Sequence, residues 1–163
     1  EQVDPPHSRP DRLRPDALLD LLQLRGLGLG GVELVQRIAA GDDAIAWGVT
    51  HQAKLLLVAP CCHHDLQVQM SKAPEPWNLV TKFGLMKERL GDLLTDTFRA
   101  QILKLKGYRT EVIEFTASDH TPRNIMIRAT HTKASPTAED LSNYKDLCEM
   151  WGVEPALAQK LDL

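Results

Sequence analysis

The feature that most constrains the fold is a short apolar run that ends at a proline. Residues 55–59 read Leu-Leu-Leu-Val-Ala, and Pro60 follows. A continuous apolar run of this length, bounded by a turn signal, is typical of a strand buried on both faces of a parallel sheet. Two cysteines, two histidines and an aspartate come next, at positions 61–65. Open α/β sheets bind ligands just beyond the carboxyl ends of such strands, so the sequence predicts a site at this corner.

The composition is that of a single globular domain. The chain has 163 residues, of which 43% are hydrophobic and 25% charged, and its net charge is −3. A negative net charge argues against nucleic-acid binding through bulk positive charge, although it is compatible with a local basic patch. No apolar stretch approaches the roughly 20 residues of a membrane span, so we expect no membrane partner. Three cysteines, two of them adjacent, and the lack of a signal peptide favour a reducing, cytoplasmic location.

The chain divides into an arm and one α/β domain. Residues 1–14 are polar and rich in proline, which predicts a flexible arm, and residues 15–163 are predicted to form the domain. Helical patterns lie on either side of a glycine-rich stretch at 26–31. We interpret this stretch as a connector, because a nucleotide cradle needs a buried strand before its glycines.

From position 42 onward the pattern predicts a regular series of elements. Asp42 or Asp43 can cap a helix that leads into the strand over 54–59. The strongest helix prediction covers 85–106, and the strands over 108–116 and 123–131 follow it. The link between these two strands is too short for a crossover helix, so they should form an antiparallel hairpin. Residues 136–163 are predicted to be a helical tail.

The helix predicted over 85–106 has an apolar side and a charged side. The apolar side consists of Met86, Leu90, Leu93, Leu94, Phe98, Ile102 and Leu105. The charged residues, among them Asp92, Asp96 and Arg99, are expected to face solvent.

The cluster at positions 61–65 allows four interpretations. Zinc prefers four ligands separated by at least two residues, so consecutive cysteines and histidines are a weak zinc signal, and we predict no metal. A cysteine activated by a neighbouring imidazole could act as a nucleophile. Cys61 or Cys62 could simply pack as a small apolar residue. Alternatively, Pro60, Cys61 and Cys62 form a pocket wall, with His63 or His64 as a hydrogen-bonding or proton-handling group.

A second polar cluster fills the predicted hairpin link, at positions 118–124. Serine, aspartate and proline are ordinary turn residues, which is one interpretation of this segment. The other is a loop on the substrate side of a site. In that case Arg123 could bind a carboxylate or phosphate, Asn124 could read an amide or base edge, and His120 could guide the substrate.

Several segments together resemble a known family. They are LVAPCCHHDL at 57–66, GLMKERL at 84–90, LTD at 94–96, GYRTEVIEF at 107–115 and DHTPRNIMI at 119–127. These segments resemble the class I S-adenosylmethionine-dependent methyltransferase-domain family that carries an APCCH segment. The dicysteine-dihistidine string is also similar to that of tRNA 2′-O-methyltransferases. The resemblance extends over about 42–153.

The resemblance implies a fold, a cofactor and a substrate class. The fold would be a three-layer α/β structure with a partial Rossmann-like methyltransferase sheet, whose C-terminal antiparallel hairpin strand turns back between two neighbours. Residues 42–131 would be the C-terminal core of that domain. S-adenosylmethionine would be the methyl donor, and RNA or a small acceptor the substrate.

The same resemblance suggests roles for the candidate residues. The catalytic candidates are His63 and His64, the substrate-binding candidates are Pro60, Cys61, Cys62, His120, Arg123 and Asn124, and the candidates next to the cofactor are Asp42 and Asp43. We expect catalysis to depend mainly on positioning the two reactants and excluding water.

Family members have a glycine-rich strand–loop–helix and further strands upstream of the region that corresponds to Asp42. The residues before Asp42 are too few for these elements, so either internal segments are omitted or the chain is a truncated copy. A truncated copy is expected to bind the cofactor poorly or not at all. The alternative function is a non-catalytic α/β module that binds RNA or a protein, with a protein partner covering an exposed sheet edge.

Overall fold

The computed structural model describes residues 41–60, 63–114 and 124–163. The described helices are α1 (Gly41–Thr50), α2 (His64–Gln69), α3 (Asn78–Thr81), α4 (Gly84–Leu105), α5 (Ala138–Trp151) and α6 (Ala156–Lys160). The described strands are β1 (Leu55–Val58), β2 (Tyr108–Glu114) and β3 (Ile125–His131). The expected arm at 1–14, the helical patterns before position 41 and the glycine-rich stretch at 26–31 lie outside these ranges.

The three described strands form one antiparallel sheet, in which their spatial order is β1-β3-β2. Strand β3 pairs antiparallel with both neighbours: Leu56 lies opposite Ala129 on one side, and Tyr108 lies opposite His131 on the other. Consequently β1 and β2 run in the same direction, with β3 inserted between them. Helix α4 belongs to the segment of chain that connects these two like-directed strands.

This sheet agrees with one prediction and differs from another. The antiparallel pairing of β2 and β3 confirms the predicted hairpin arrangement. The apolar run at 55–58 is a strand, but its hydrogen-bonded partner in the described sheet is antiparallel rather than parallel. The reason is that β3, the last described strand, turns back and pairs with β1 along the one edge of β1 whose partner the structure describes. Leu55 and Leu56 are buried, whereas Leu57 and Val58 are half-buried, so burial of the strand is only partial.

The described hydrophobic core lies against one face of this sheet. Side chains alternate between the faces of a strand, which puts Leu56, Ile127 and Ala129 on the same face. All three belong to one buried cluster that includes Ile45 of α1 and Phe98 of α4. On the opposite face, Leu55 and Met126 are also buried but are not part of this cluster. The described sheet is therefore part of a mixed α/β fold, and the three-layer arrangement remains a prediction.

Helix α4 begins and ends within one residue of the predicted range, Gly84–Leu105 against 85–106. Its apolar side is only partly as predicted. Leu94, Phe98, Ile102 and Leu105 are buried, whereas Met86 and Leu93 remain 47% and 58% exposed. The prediction that Asp96 and Arg99 face solvent is wrong, since they are 6% and 3% exposed. Burial is tolerated because each of these charges has a partner of opposite charge.

The C-terminal residues form the predicted helices. Thr137 caps α5 with a capping box, in which its side chain accepts from the Asp140 amide and the Asp140 carboxylate accepts from the Thr137 amide. Trp151 and Leu157 join the core cluster, so this tail packs on the domain. Among the described helices, none combines the length and the apolar composition that crossing a membrane requires.

Candidate functional site

His63 lies at the entrance to α2, shortly after the end of β1, and is 4% exposed. Its Nε2 atom is 3.2 and 3.1 Å from the two carboxylate oxygens of Asp96, which lies in the middle of α4. An imidazole nitrogen facing a carboxylate at this distance carries the N–H and donates it. The contact therefore fixes the His63 ring and connects the carboxyl end of the strand with the long helix.

Arg99 extends this contact to α1. Its Nη1 donates to Asp96 at 2.9 Å, and its Nε donates to Asp42 at 2.6 Å. Burial alone would lower the pKa of Arg99, but the hydrogen bonds and negative charges of Asp42 and Asp96 together raise that pKa above its ordinary value. The guanidinium thus remains charged and holds two carboxylates in place.

The second nitrogen of His63 faces another carboxylate. Nδ1 is 3.4 Å from Oδ1 of Asp92, yet it is buried and makes no hydrogen bond. The same Asp92 oxygen accepts a hydrogen bond from Gln67 at 2.9 Å. A doubly protonated imidazole would donate to both carboxylates, whereas a neutral imidazole has a single N–H and would donate to one of them. We call the five residues Asp42, His63, Asp92, Asp96 and Arg99 the His63 cluster.

A groove runs beside the His63 cluster. The described residues that line it are Pro60, His63, Leu85, Glu88, Arg89, Asp92, Leu93, Asp96 and Ile125. Pro60, His63 and Asp96 are buried and form its floor, whereas Leu85, Glu88 and Leu93 are exposed at its rim. The groove therefore combines apolar side chains with a few buried polar groups, as small-molecule sites commonly do.

The predicted site residues are distributed unevenly around this groove. Pro60 and His63 line it together. Asn124 is 5% exposed and immediately precedes the groove residue Ile125. His64 is exposed at the start of α2 and lines a different, shallower depression with Lys87. The roles proposed for Cys61, Cys62, His120 and Arg123 concern positions outside the described residues.

Both residues predicted to lie near the cofactor are paired with cations. Asp42 accepts from Arg99, and Asp43 lies 2.6 Å from Lys160 of α6. The hydrogen bond with Asp43 raises the pKa of Lys160. Each cation contacts one carboxylate oxygen, Oδ1, and the second oxygen of each residue can still accept a hydrogen bond. The assignment of these two residues to the cofactor remains a prediction.

Sequence reasoning missed three members of the His63 cluster. Asp92, Asp96 and Arg99 were treated as part of the solvated side of the helix. Their spacing of four and then three residues places all three on one face of α4. This alignment of charges is the signal that could have identified them.

The described part of the chain contains no group of three or more histidine, cysteine, aspartate or glutamate residues arranged to hold a metal ion. In comparisons with known proteins, no family model, curated protein or solved structure matched this chain. The chemistry of the His63 cluster and the strand order therefore carry the functional argument.

Proposed function

We propose that this chain is an S-adenosylmethionine-dependent methyltransferase whose acceptor binds in the groove beside His63, with the described residues forming its substrate side. The observation that carries the proposal is the strand order β1-β3-β2. An antiparallel strand lies between two like-directed strands, and a long helix lies in the connection between those two. This is the arrangement that the sequence resemblance implies for the last part of a methyltransferase sheet.

The His63 cluster supports a proton-handling role for His63. Asp96 fixes the orientation of the ring through Nε2, and Arg99 holds Asp96 in turn. The remaining nitrogen, Nδ1, lies next to Asp92 in the groove lining. An imidazole that a carboxylate holds in one orientation is a common proton-handling group, and in its neutral form the second nitrogen can act as a general base. His63 would accept a proton from the acceptor group as that group becomes a nucleophile.

S-adenosylmethionine would supply the methyl group when bound. Asp42 contacts Arg99 and Asp43 contacts Lys160, so each of these carboxylates already takes part in an ion pair within the domain. We therefore assign to the described residues only the acceptor side: the groove, the oriented imidazole and the carboxylate next to it.

The ion pairs of Asp42 with Arg99 and of Asp43 with Lys160 favour a second candidate function. If neither carboxylate is available to a cofactor, the domain would be a non-catalytic α/β module that binds a ligand in the same groove. This candidate predicts binding without chemistry, and an activity measurement distinguishes the two.

The test is the formation of S-adenosylhomocysteine, measured by mass spectrometry. The chain is incubated with S-adenosylmethionine and, separately, with bulk tRNA or with hexylamine as acceptor probes. We expect product with at least one probe and a loss of about a hundredfold or more in His63→Gln, as for removal of a general base. The matched control His51→Gln changes an exposed histidine outside the cluster and should retain full activity. No product with either probe would contradict the proposal and favour the non-catalytic module.

A further inference from the structure

We infer that the surface formed by α3 and the start of α4 binds a membrane surface that carries anionic lipids. The apolar members of this α3–α4 surface are Trp77, Leu79, Phe83, Leu85 and Met86, and its cations are Lys82, Lys87 and Arg89. The inference goes beyond the proposed function, because membrane contact requires neither the cofactor nor the groove beside His63. The expectation of no membrane partner concerned a spanning helix, whereas this contact would lie on the bilayer surface.

The apolar side chains of the α3–α4 surface are strongly exposed although they follow one another closely along the chain. Leu79, Phe83 and Leu85 are 62%, 57% and 59% exposed, and Trp77 and Met86 are 42% and 47% exposed. Single exposed apolar residues are ordinary, but a contiguous set of this kind marks a contact site for a protein or a membrane.

The charge of this segment has the opposite sign to that of the whole chain. Within 77–89 the charged residues are Lys82, Lys87, Glu88 and Arg89, three cations and one anion, which gives a net charge of +2. The whole chain carries −3, so the residues outside 77–89 carry −5, the difference between −3 and +2. Positive charge is therefore concentrated beside the exposed apolar side chains, and anionic lipid headgroups would complement it.

Lys82 and Phe83 combine both properties in adjacent residues. Nζ of Lys82 is 4.9 Å from the centroid of the Phe83 ring, and both side chains are exposed. At the boundary of a bilayer the ring would enter the acyl region while the ammonium group remains among the phosphates. Tryptophan, here Trp77, is enriched at the same boundary in membrane proteins.

The shape of the α3–α4 surface favours a bilayer over a docked helix. Gly84 lies in the middle of this surface, and a Cβ atom added there would meet no atom of the described chain within 4 Å, apart from its chain neighbours and its own helix. The side chains around Gly84 therefore protrude rather than line a groove. A docked helix requires a groove that receives it, whereas protruding apolar side chains can enter the boundary of a bilayer.

Vesicle binding tests the inference. The full chain is mixed with vesicles of phosphatidylcholine alone, or of phosphatidylcholine and phosphatidylserine at about 3:1, and the bound fraction is measured by co-sedimentation at about 0.1 M salt. We expect affinity for the anionic vesicles to be at least about fivefold higher, the effect of roughly one lysine at a charged membrane surface. Equal affinity for the two kinds of vesicle, or binding to neither, would overturn the inference.

Two variants then locate the contact. Phe83→Ser removes the apolar ring and should weaken binding to the anionic vesicles by about fivefold or more. Phe83 is the N-cap of α4, a position that serine favours, so this variant is expected to fold. Lys82→Glu reverses a charge and should weaken binding by about tenfold or more.

Matched controls lie on α5. Leu141→Ser and Lys145→Glu make comparable changes at exposed positions there and should leave vesicle binding unchanged. An RNA partner would need the cations of the α3–α4 surface but not its apolar side chains. Unchanged vesicle binding in Phe83→Ser, with a loss in Lys82→Glu, would therefore indicate a purely electrostatic surface and overturn the inference. Unchanged binding in Lys82→Glu would overturn it as well.

Discussion

Asp96 is the residue on which the His63 cluster depends. Its carboxylate accepts from His63 and from Arg99, which approach it from different parts of the chain. Burying these charges costs solvation free energy, which the mutual contacts offset only while every partner is present. The cluster is therefore sensitive to the loss of any one member.

Removing the cation of this cluster should destabilise the domain. Arg99→Met leaves the carboxylates of Asp42 and Asp96 without their guanidinium, and the free energy of unfolding should fall by about 3 kcal/mol. Urea unfolding followed by circular dichroism measures the change. Arg89→Met makes the same substitution at an exposed position of the same helix and should change the stability by less than about 0.5 kcal/mol. Equal effects of the two substitutions would show that the buried cluster adds nothing to stability.

Single residues were also where the sequence was least informative. Helical periodicity predicted only part of the apolar side of α4 correctly, and it could not reveal that Asp96 and Arg99 are buried as well. Their partners His63 and Asp42 lie 33 and 57 residues away in the sequence. Only the folded chain brings these charges together, so the local sequence pattern assigns each of these charged residues to the surface.

At the scale of elements, the start of α5 illustrates how local chemistry determines a helix end. The hydrogen bond from Lys104, followed by those from the Thr137 amide and hydroxyl, lowers the pKa of Asp140 from its usual value of 3.8 to about 2. Lys104 lies in the last turn of α4, so the same carboxylate caps α5 and ties it to α4.

This shift predicts a pH dependence of stability. The folded-state pKa of Asp140 is lower than its unfolded value, so its stabilising contribution is complete above about pH 4 and is lost as the pH falls towards 2. Asp140→Asn lacks this ionisation. The difference in urea midpoint between the wild type and the variant should therefore shrink between pH 5 and pH 2. A constant difference over this interval would mean that the ionised Asp140 does not stabilise the fold.

The longer elements were predictable because each contains enough residues to display a period and a stop signal. Helix α4 ends before Gly107, whose positive φ of 87° is a conformation that glycine adopts at little cost. The short helices α2 and α3 were not predicted. With six and four residues, neither completes two turns, so no periodic pattern distinguishes them from a loop.

At the scale of the whole molecule, strand order was the part of the fold that local patterns could not determine. They indicated three strands and one hairpin, but the position of β3 beside β1 depends on pairing between distant segments. The expectation that the last strand turns back between two neighbours came from the family resemblance. The described sheet has this order, although the full Rossmann-like architecture stays a proposal.

The strand order predicts a pattern of amide hydrogen exchange. Within the described sheet, β3 is the strand with hydrogen-bonded neighbours on both sides. Its amides should therefore exchange more slowly than those of β1 and β2, because opening them disrupts two ladders. Exchange followed by NMR or mass spectrometry tests this. Slower exchange in β2 than in β3 would contradict the assigned order.

The most direct test of the central claim is a calorimetric titration of this chain with S-adenosylmethionine, because it requires no knowledge of the acceptor. A methyltransferase should bind the cofactor with a Kd in the micromolar range, and S-adenosylhomocysteine should compete for the same site. Saturable binding with this competition is the predicted result. The absence of binding heat at millimolar cofactor would contradict the methyltransferase proposal and leave the groove beside His63 as the site of a non-catalytic module.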